Sequence, residues 1–301
     1  MSQLVIPSLS FEDIESQNPR AIRDLKNAFE NHGFVTLTNH GVNEDLLAKT
    51  YAYCKDFFNL DAEVKLNYAR PETGGARGYT QFGKETAVGE SVADLKEFWH
   101  QGPEINQYFD ARIKENIPVT ELPEFTISCN QLFSELNNLG IKVLRAIALL
   151  MDKPSDFFTP WVERGNSVLR LIHYPPVLDK TNLLRARAHA DINLITLLVG
   201  AEESGLEVQH KDGTWIPIEA SSKSIVCNIG DMMQLVTRGQ LKSTVHRVVD
   251  YNLGNPKPRY SIPFFLHPSP DIILRSIVDD SKDSVSAHDF LEERIREIKL
   301  Y

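Results

Sequence analysis

His189 and Asp191 stand two residues apart in Arg187-Ala188-His189-Ala190-Asp191, just ahead of an apolar run at 194–199. In an extended strand residues i and i+2 share a face, so an imidazole and a carboxylate at this spacing can converge on one point and grip a metal ion from two sides. A metal centre needs a third donor. His246 lies within a strand-like run, Thr244-Val245-His246-Arg247-Val248-Val249, whereas His210 borders a polar turn and His267 a strand end. A lone strand histidine is ordinarily a hydrogen-bonded core residue. Grouped with His189 and Asp191 inside a barrel, His246 becomes the third candidate.

Two imidazoles and one carboxylate on one face of a metal leave adjacent positions open, the arrangement suited to non-haem Fe(II) and oxygen chemistry. Thiolates are absent from the set, which disfavours a structural zinc site; a catalytic zinc with one open position stays open on these ligands alone. Arg259-Tyr260-Ser261 repeats the i, i+2 spacing at the start of an apolar strand. A guanidinium and a hydroxyl pointing into an apolar barrel form a clamp for a carboxylate. Without the metal ligands, a surface arginine beside a core strand would be the better reading. By the same parity Arg185 and Arg187 could face the metal and suit an acidic substrate, but a solvated rim ahead of the strand is the preferred placement.

The elements that must position these groups can be read in order. Asn18-Pro19 is an N-cap followed by proline at the first helical position, opening a helix that Gly33 ends. A strand at 34–38 and a second helix carrying Leu46, Leu47, Tyr51, Cys54, Phe57 and Phe58 follow. Residues 70–103 mix glycine, aromatics and charges, as a surface loop or a loop that closes on a ligand would. Tyr79, Phe82, Phe264 and the C-terminal helix are candidates for a lid or pocket wall, or ordinary core. The longest helical pattern spans 125–151, with Gly140 a candidate kink. Beyond Asn166, short runs at 167–174, 194–199, 206–209, 215–218, 224–228, 232–236, 244–249 and 260–266 alternate with turn signals such as Asp212-Gly213. This spacing predicts an α+β protein: a jelly-roll (double-stranded β-helix) core, a mixed helical N-terminal region and a C-terminal helix over 287–300. The expected division is 1–120, a packing helix within 121–160, the jelly-roll core at 165–270, and a tail at 271–301.

The chain of 301 residues carries a formal charge of −9, with 42% hydrophobic and 24% charged residues. Nothing in that balance marks a nucleic-acid or membrane partner. Three scattered cysteines, Cys54, Cys129 and Cys227, make no disulfide framework. With no signal peptide or membrane span in the pattern, a cytoplasmic location is expected. Nothing in the sequence names an oligomeric state.

These motifs carry a resemblance. His189-x-Asp191, His246 and Arg259-x-Ser261 resemble the signature of the 2-oxoglutarate and Fe(II)-dependent oxygenases, more narrowly the isopenicillin N synthase-like branch. Similar to it as well are Gly33-Phe34-Val35 with Asn39-His40-Gly41-Val42, Phe57-Phe58-x-Leu60, Asp94-Leu95-Lys96-Glu97, His173-Tyr174-Pro175-Pro176, Gly205-Leu206-x-Val208 and Asn228-Ile229-Gly230-Asp231, so nearly the whole chain is covered. The stretch 251–258 departs by its length and reads as a longer hairpin loop. The resemblance implies Fe(II) on His189, Asp191 and His246. It also implies 2-oxoglutarate held by Arg259 and Ser261 with help from Tyr174, and O2 consumed while a small molecule is hydroxylated, desaturated or cyclised with release of succinate and CO2. Asn228-Ile229-Gly230-Asp231 has no evident ligand role and reads as a turn. Two alternatives remain: a relative of isopenicillin N synthase or aminocyclopropane-carboxylate oxidase that does not consume 2-oxoglutarate, and a non-catalytic metal- or small-molecule-binding barrel.

Overall fold

The structure, a computed structural model, describes residues 5–86, 93–176, 184–200, 205–218, 221, 223–250 and 257–298. The N-terminal half runs β1 (Ser8–Ser10), α1 (Phe11–Glu15), α2 (Pro19–Asn31), β2 (Phe34–Thr38), α3 (Glu44–Phe58), α4 (Ala62–Leu66), β3 (Gly78–Thr80) and β4 (Glu97–Gln101). The long α5 (Pro123–Leu150) and short α6 (Thr159–Val162) lead into β5 (Val168–Tyr174), β6 (Leu184–His189), β7 (Ile195–Val199), β8 (Leu206–Gln209), β9 (Trp215–Pro217) and β10 (Ile225–Ile229). Then come α7 (Asp231–Val236), β11 (His246–Val249), β12 (Arg259–Leu266), β13 (Ile273–Arg275), β14 (Ser284–Ser286) and α8 (Ala287–Ile298).

Eight of these strands form the jelly roll. Strands β10-β7-β12-β5 lie in one sheet, which β1-β2 and β4-β3 widen at its two edges, and β6-β11-β8-β9 form the facing sheet. Alternation along each strand divides the apolar residues between two cores. Ile225, Cys227, Leu197, Ile262, Phe264 and Leu266 face the helices, while Val226, Ile172, Val208, Ile216 and Val248 fill the space between the sheets. α5 closes the helix side, with Phe133 edge-on to Phe264 at 5.1 Å. Gly140 does not interrupt α5. A Cβ there would lie 3.0 Å from Leu266 Cδ2, so the glycine serves close approach of helix to sheet.

Several expectations need correction. The run 232–236 is not a strand but α7; Met, Gln and Leu are good helix formers, and Asp231 sits in the first turn. The arginine-rich stretch 184–189 is not a rim but strand β6. The loop expected around Gly74–Tyr79 includes β3, paired with β4. The C-terminal helix is described to Ile298, and most of the long 251–258 stretch lies outside the described residues. No helix among the described residues is long and apolar enough to cross a membrane.

Candidate metal centre and carboxylate clamp

His189 closes β6 and His246 opens β11, and the two stand directly opposite each other in an antiparallel pair. Their rings lie 4.4 Å apart between centroids. Asp191 follows β6 in the turn to β7, with Oδ1 3.8 Å from His246 Nε2. One donor atom from each of the three residues lies within 4.8 Å of the others. Asp191 and His246 are buried, whereas His189 is open to solvent.

Each side chain is oriented by a hydrogen bond on its far side. His189 Nδ1 donates to the Arg187 carbonyl at 2.7 Å and His246 Nδ1 to the Thr244 carbonyl at 3.2 Å. That tautomer leaves both Nε2 lone pairs for a metal. Thr196 Oγ1 and Asn228 Nδ2 donate to Asp191 Oδ2 at 2.6 and 2.8 Å, leaving Oδ1 toward the two imidazoles. Thr196 and Asn228 are themselves cross-strand partners on β7 and β10. Asn228 is thus more than a turn former. The rest of its motif clamps the same loop: the Asp231 N–H donates to the Asp191 carbonyl at 2.7 Å, and a Cβ on Gly230 would meet the Asn193 carbonyl at 2.1 Å. The donor set, two neutral nitrogens and one carboxylate oxygen all facing one point, fits a divalent metal with room for further ligands.

The electrostatics agree. Burial of the imidazole, with His246 alongside, pushes His189 down to about 4 against the opposing pull of Asp191, although the residue as a whole is exposed. Burial raises the Asp191 carboxyl, but His246, His189, Thr196 and Asn228 together outweigh it and hold it below the ordinary carboxylate range. Near neutral pH His189 therefore presents a lone pair and Asp191 a charge, the protonation states a metal needs.

Arg259 and Ser261 alternate with Tyr260 and Ile262 along β12. Tyr260 stacks on His173 at 4.7 Å and Ile262 joins the helix-side core, so Arg259 and Ser261 take the opposite, inter-sheet face. Both are buried, and Arg259 pairs across to Tyr174, its guanidinium 5.3 Å from that ring's centre. All three residues singled out for a carboxylate thus meet on one inner face.

Other expectations fail on the side they face. Phe264 and Tyr79 are not pocket walls. Phe264 is fully buried against α5, and Tyr79 packs edge-on to Phe57 while its hydroxyl donates to Glu97 Oε2 at 2.5 Å. Arg185 is buried and paired with Asp250 at 2.6 Å rather than solvated on a rim, and Arg187 is half-buried with Nη1 3.6 Å from Asp94. Phe82 is exposed, and α8 lies beside α7, with Arg294 3.3 Å from Asp231. A buried ionic cluster had no sequence signal. Lys96 meets Glu85 at 2.5 Å and Asp94 at 2.9 Å, and Arg170 bridges Glu85 and His100 while covering the Phe98 ring at 4.3 Å.

Burial also lowers His267 to about 4 and pushes His100 well below the ordinary histidine value. Neutral in the fold, both take protons near pH 6.5 once unfolded, so the unfolded state binds more protons as pH falls below that value. Stability therefore declines from about pH 6.5 towards 4, by up to about 1.4 kcal/mol per pH unit for each histidine. Urea midpoints taken between pH 7 and 5 should show this slope, and His267→Gln should reduce it.

Family models match both halves of the chain: 2OG-Fe(II) oxygenase superfamily over residues 165–268, and the N-terminal region named for a non-haem dioxygenase in morphine synthesis over residues 6–120. The chain is 34% identical over 272 residues to the proline hydroxylase buaE of Petromyces alliaceus, covering 85% of this chain and 84% of that one. A 2OG-Fe(II) oxygenase family protein from Caulobacter crescentus superimposes with a TM-score of 0.89 at 42% identity, covering 99% of this chain and all of that one. A full-length Neurospora crassa protein, solved in complex with alpha-KG, gives 0.87 at 27% identity, covering 98% of this chain and 97% of that one. With the jelly roll, the His-Asp-His cluster and these matches together, the chain belongs to the 2-oxoglutarate- and Fe(II)-dependent oxygenase superfamily, oxidoreductases that work with Fe(II), 2-oxoglutarate and O2.

Proposed function

We propose that His189, Asp191 and His246 hold the Fe(II), that Arg259 and Ser261 bind the far carboxylate of 2-oxoglutarate, and that the Tyr174 hydroxyl assists. The observation that carries this reading is the division of labour on Asp191, whose Oδ2 is occupied by Thr196 and Asn228 while Oδ1 faces His246, with a donor atom of His189 within 4.8 Å of the cluster. When bound, the metal would activate O2, the oxidant, which takes two electrons from 2-oxoglutarate as it is split to succinate and CO2 and two from the substrate. The protein's share is positioning. Thr196 and Asn228 keep Asp191 ionised and turned inward, and the Arg187 and Thr244 carbonyls keep both imidazoles in the metal-binding tautomer.

The substrate is a small molecule, and an acidic one suits Arg187, the half-buried cation two residues from His189. The Neurospora crassa relative has been solved with thymine and with 5-formyluracil, which supports a compact polar substrate for this chain as well. A screen of small acids and heterocycles for stimulation of succinate formation, with Fe(II), 2-oxoglutarate and O2, tests the whole reading. Oxidation of a substrate without succinate would instead favour an isopenicillin N synthase-like oxidase. For the substrate so found, Arg187→Ala should raise KM and leave substrate-independent 2-oxoglutarate turnover intact; unchanged substrate kinetics would count against Arg187.

A further inference from the structure

We propose that Asp94, which precedes β4, is a positioning residue that sets the imidazole of His189; the inference rests on the metal-binding reading above. Among the described residues β6 is the edge strand of its sheet, with β11 as its one neighbour. Its register shifts twice along the pair: His189 faces His246, Ala186, three positions back, faces Val248, two positions on, and Leu184, two further back, faces Val249, one further on. A bulge on an edge strand turns backbone groups away from any strand partner, and such groups must be satisfied from elsewhere.

Asp94 supplies that partner. Its Oδ1 accepts the Arg187 N–H at 3.4 Å and lies 3.6 Å from Arg187 Nη1. The carbonyl of the same residue, Arg187, accepts the Nδ1 proton of His189 at 2.7 Å. Asp94 thus holds the bulged residue on one side, and on the other that residue holds the metal-facing imidazole. Asp94 is in turn fixed. Its Oδ2 accepts from Lys96 Nζ at 2.9 Å and its own N–H donates to the Glu85 carbonyl at 2.9 Å. It is 4% exposed. A buried carboxylate of this kind is costly to keep and contributes little net stability as an ion pair alone, whereas an acceptor for an edge-strand amide beside a metal ligand gives it a use.

The test compares two substitutions of equal side-chain heavy-atom count and branching in the full-length protein: Asp94→Asn, which keeps an acceptor, and Asp94→Leu, which does not. Co(II) affinity is followed anaerobically by ligand-field absorption, and the His189 Nδ1 proton by NMR of the Zn(II)-loaded protein. Asp94→Leu should weaken Co(II) binding about 10- to 100-fold, as loss of a group orienting a metal ligand does, and should speed exchange of the Nδ1 proton. Asp94→Asn should restore both to near the unsubstituted protein. Glu85→Gln, which perturbs the same lysine without touching β6, should leave both unchanged. If Asp94→Leu does not fold, Asp94→Ala takes its place with the same expectation. Unaltered Co(II) binding in the acceptor-less variant, or an equal loss in Glu85→Gln, would overturn the proposal. His189→Ala separates the two levels: if it too binds Co(II) normally, the metal reading itself is wrong.

Discussion

Asp191→Asn lowers Fe(II) affinity by more than about 100-fold and ends succinate formation while leaving the fold intact. Groups that merely orient a metal ligand are worth about 10- to 100-fold in affinity, so loss of the one anionic ligand exceeds that range. The asparagine is chosen for a reason visible in the structure. Thr196 and Asn228 both donate to Asp191 Oδ2, and all three side chains are buried. Asp191→Ala would strip two buried donors of their acceptor, at about 1–3 kcal/mol each, and confuse unfolding with loss of metal. An asparagine can keep its carbonyl oxygen toward Thr196 and Asn228 and present its amide to the metal, where it can neither carry charge nor coordinate well. Anaerobic Fe(II) titration beside a thermal melt separates the effects. Unfolding near the normal temperature with normal Fe(II) binding would refute the assignment of Asp191.

How much of this was legible in the sequence depends on what the side-chain periods can say. Period two in β12 placed Arg259 and Ser261 on one face correctly, because that strand keeps an unshifted register against β5. The same argument failed for Arg185, because the register of β6 against β11 shifts along the pair and Arg185 turns toward Asp250. Periodicity also says which residues share a face, not which sheet or helix that face meets. Phe264 sits on a well-formed strand but on the helix side, and so lies in the core rather than in the pocket.

The partners of Asp191 were hidden for a different reason. Thr196 and Asn228 become neighbours only when β7 and β10 pair, a contact between residues 32 positions apart. A local reading of Asn228-Ile229-Gly230-Asp231 sees a turn and nothing more. Run 232–236 defeats the period argument because Met, Leu and Val fit either period over so short a stretch, and the helix that forms there is six residues long. The ionic cluster of Glu85, Asp94, Lys96 and Arg170 joins two sequence regions about 75 residues apart and has no spacing to announce it.

Arg259→Met raises the KM for 2-oxoglutarate from about thirtyfold to a few thousandfold and leaves Fe(II) affinity unchanged. Truncating one member of a buried, hydrogen-bonded charge pair costs about 2–5 kcal/mol, which converts to that range at about 1.4 kcal/mol per tenfold. Arg259 is 2% exposed on the inner face of β12, opposite Tyr174 and two residues from Ser261, so a carboxylate bound there would be largely withdrawn from water. Methionine keeps an unbranched stem for packing and removes the donors and the charge. Arg259→Lys should fall between the two proteins: it restores the charge but not the planar fork that meets both carboxylate oxygens. Binding can be read apart from turnover by adding 2-oxoglutarate anaerobically to the Fe(II) protein and recording the weak visible charge-transfer band. Arg259→Met should require far more 2-oxoglutarate to develop the band, with Co(II) spectra showing the metal site still formed. An undiminished band at the usual concentration would mean that the carboxylate is held elsewhere, and the clamp would have to be sought among the other buried cations, beginning with Lys96.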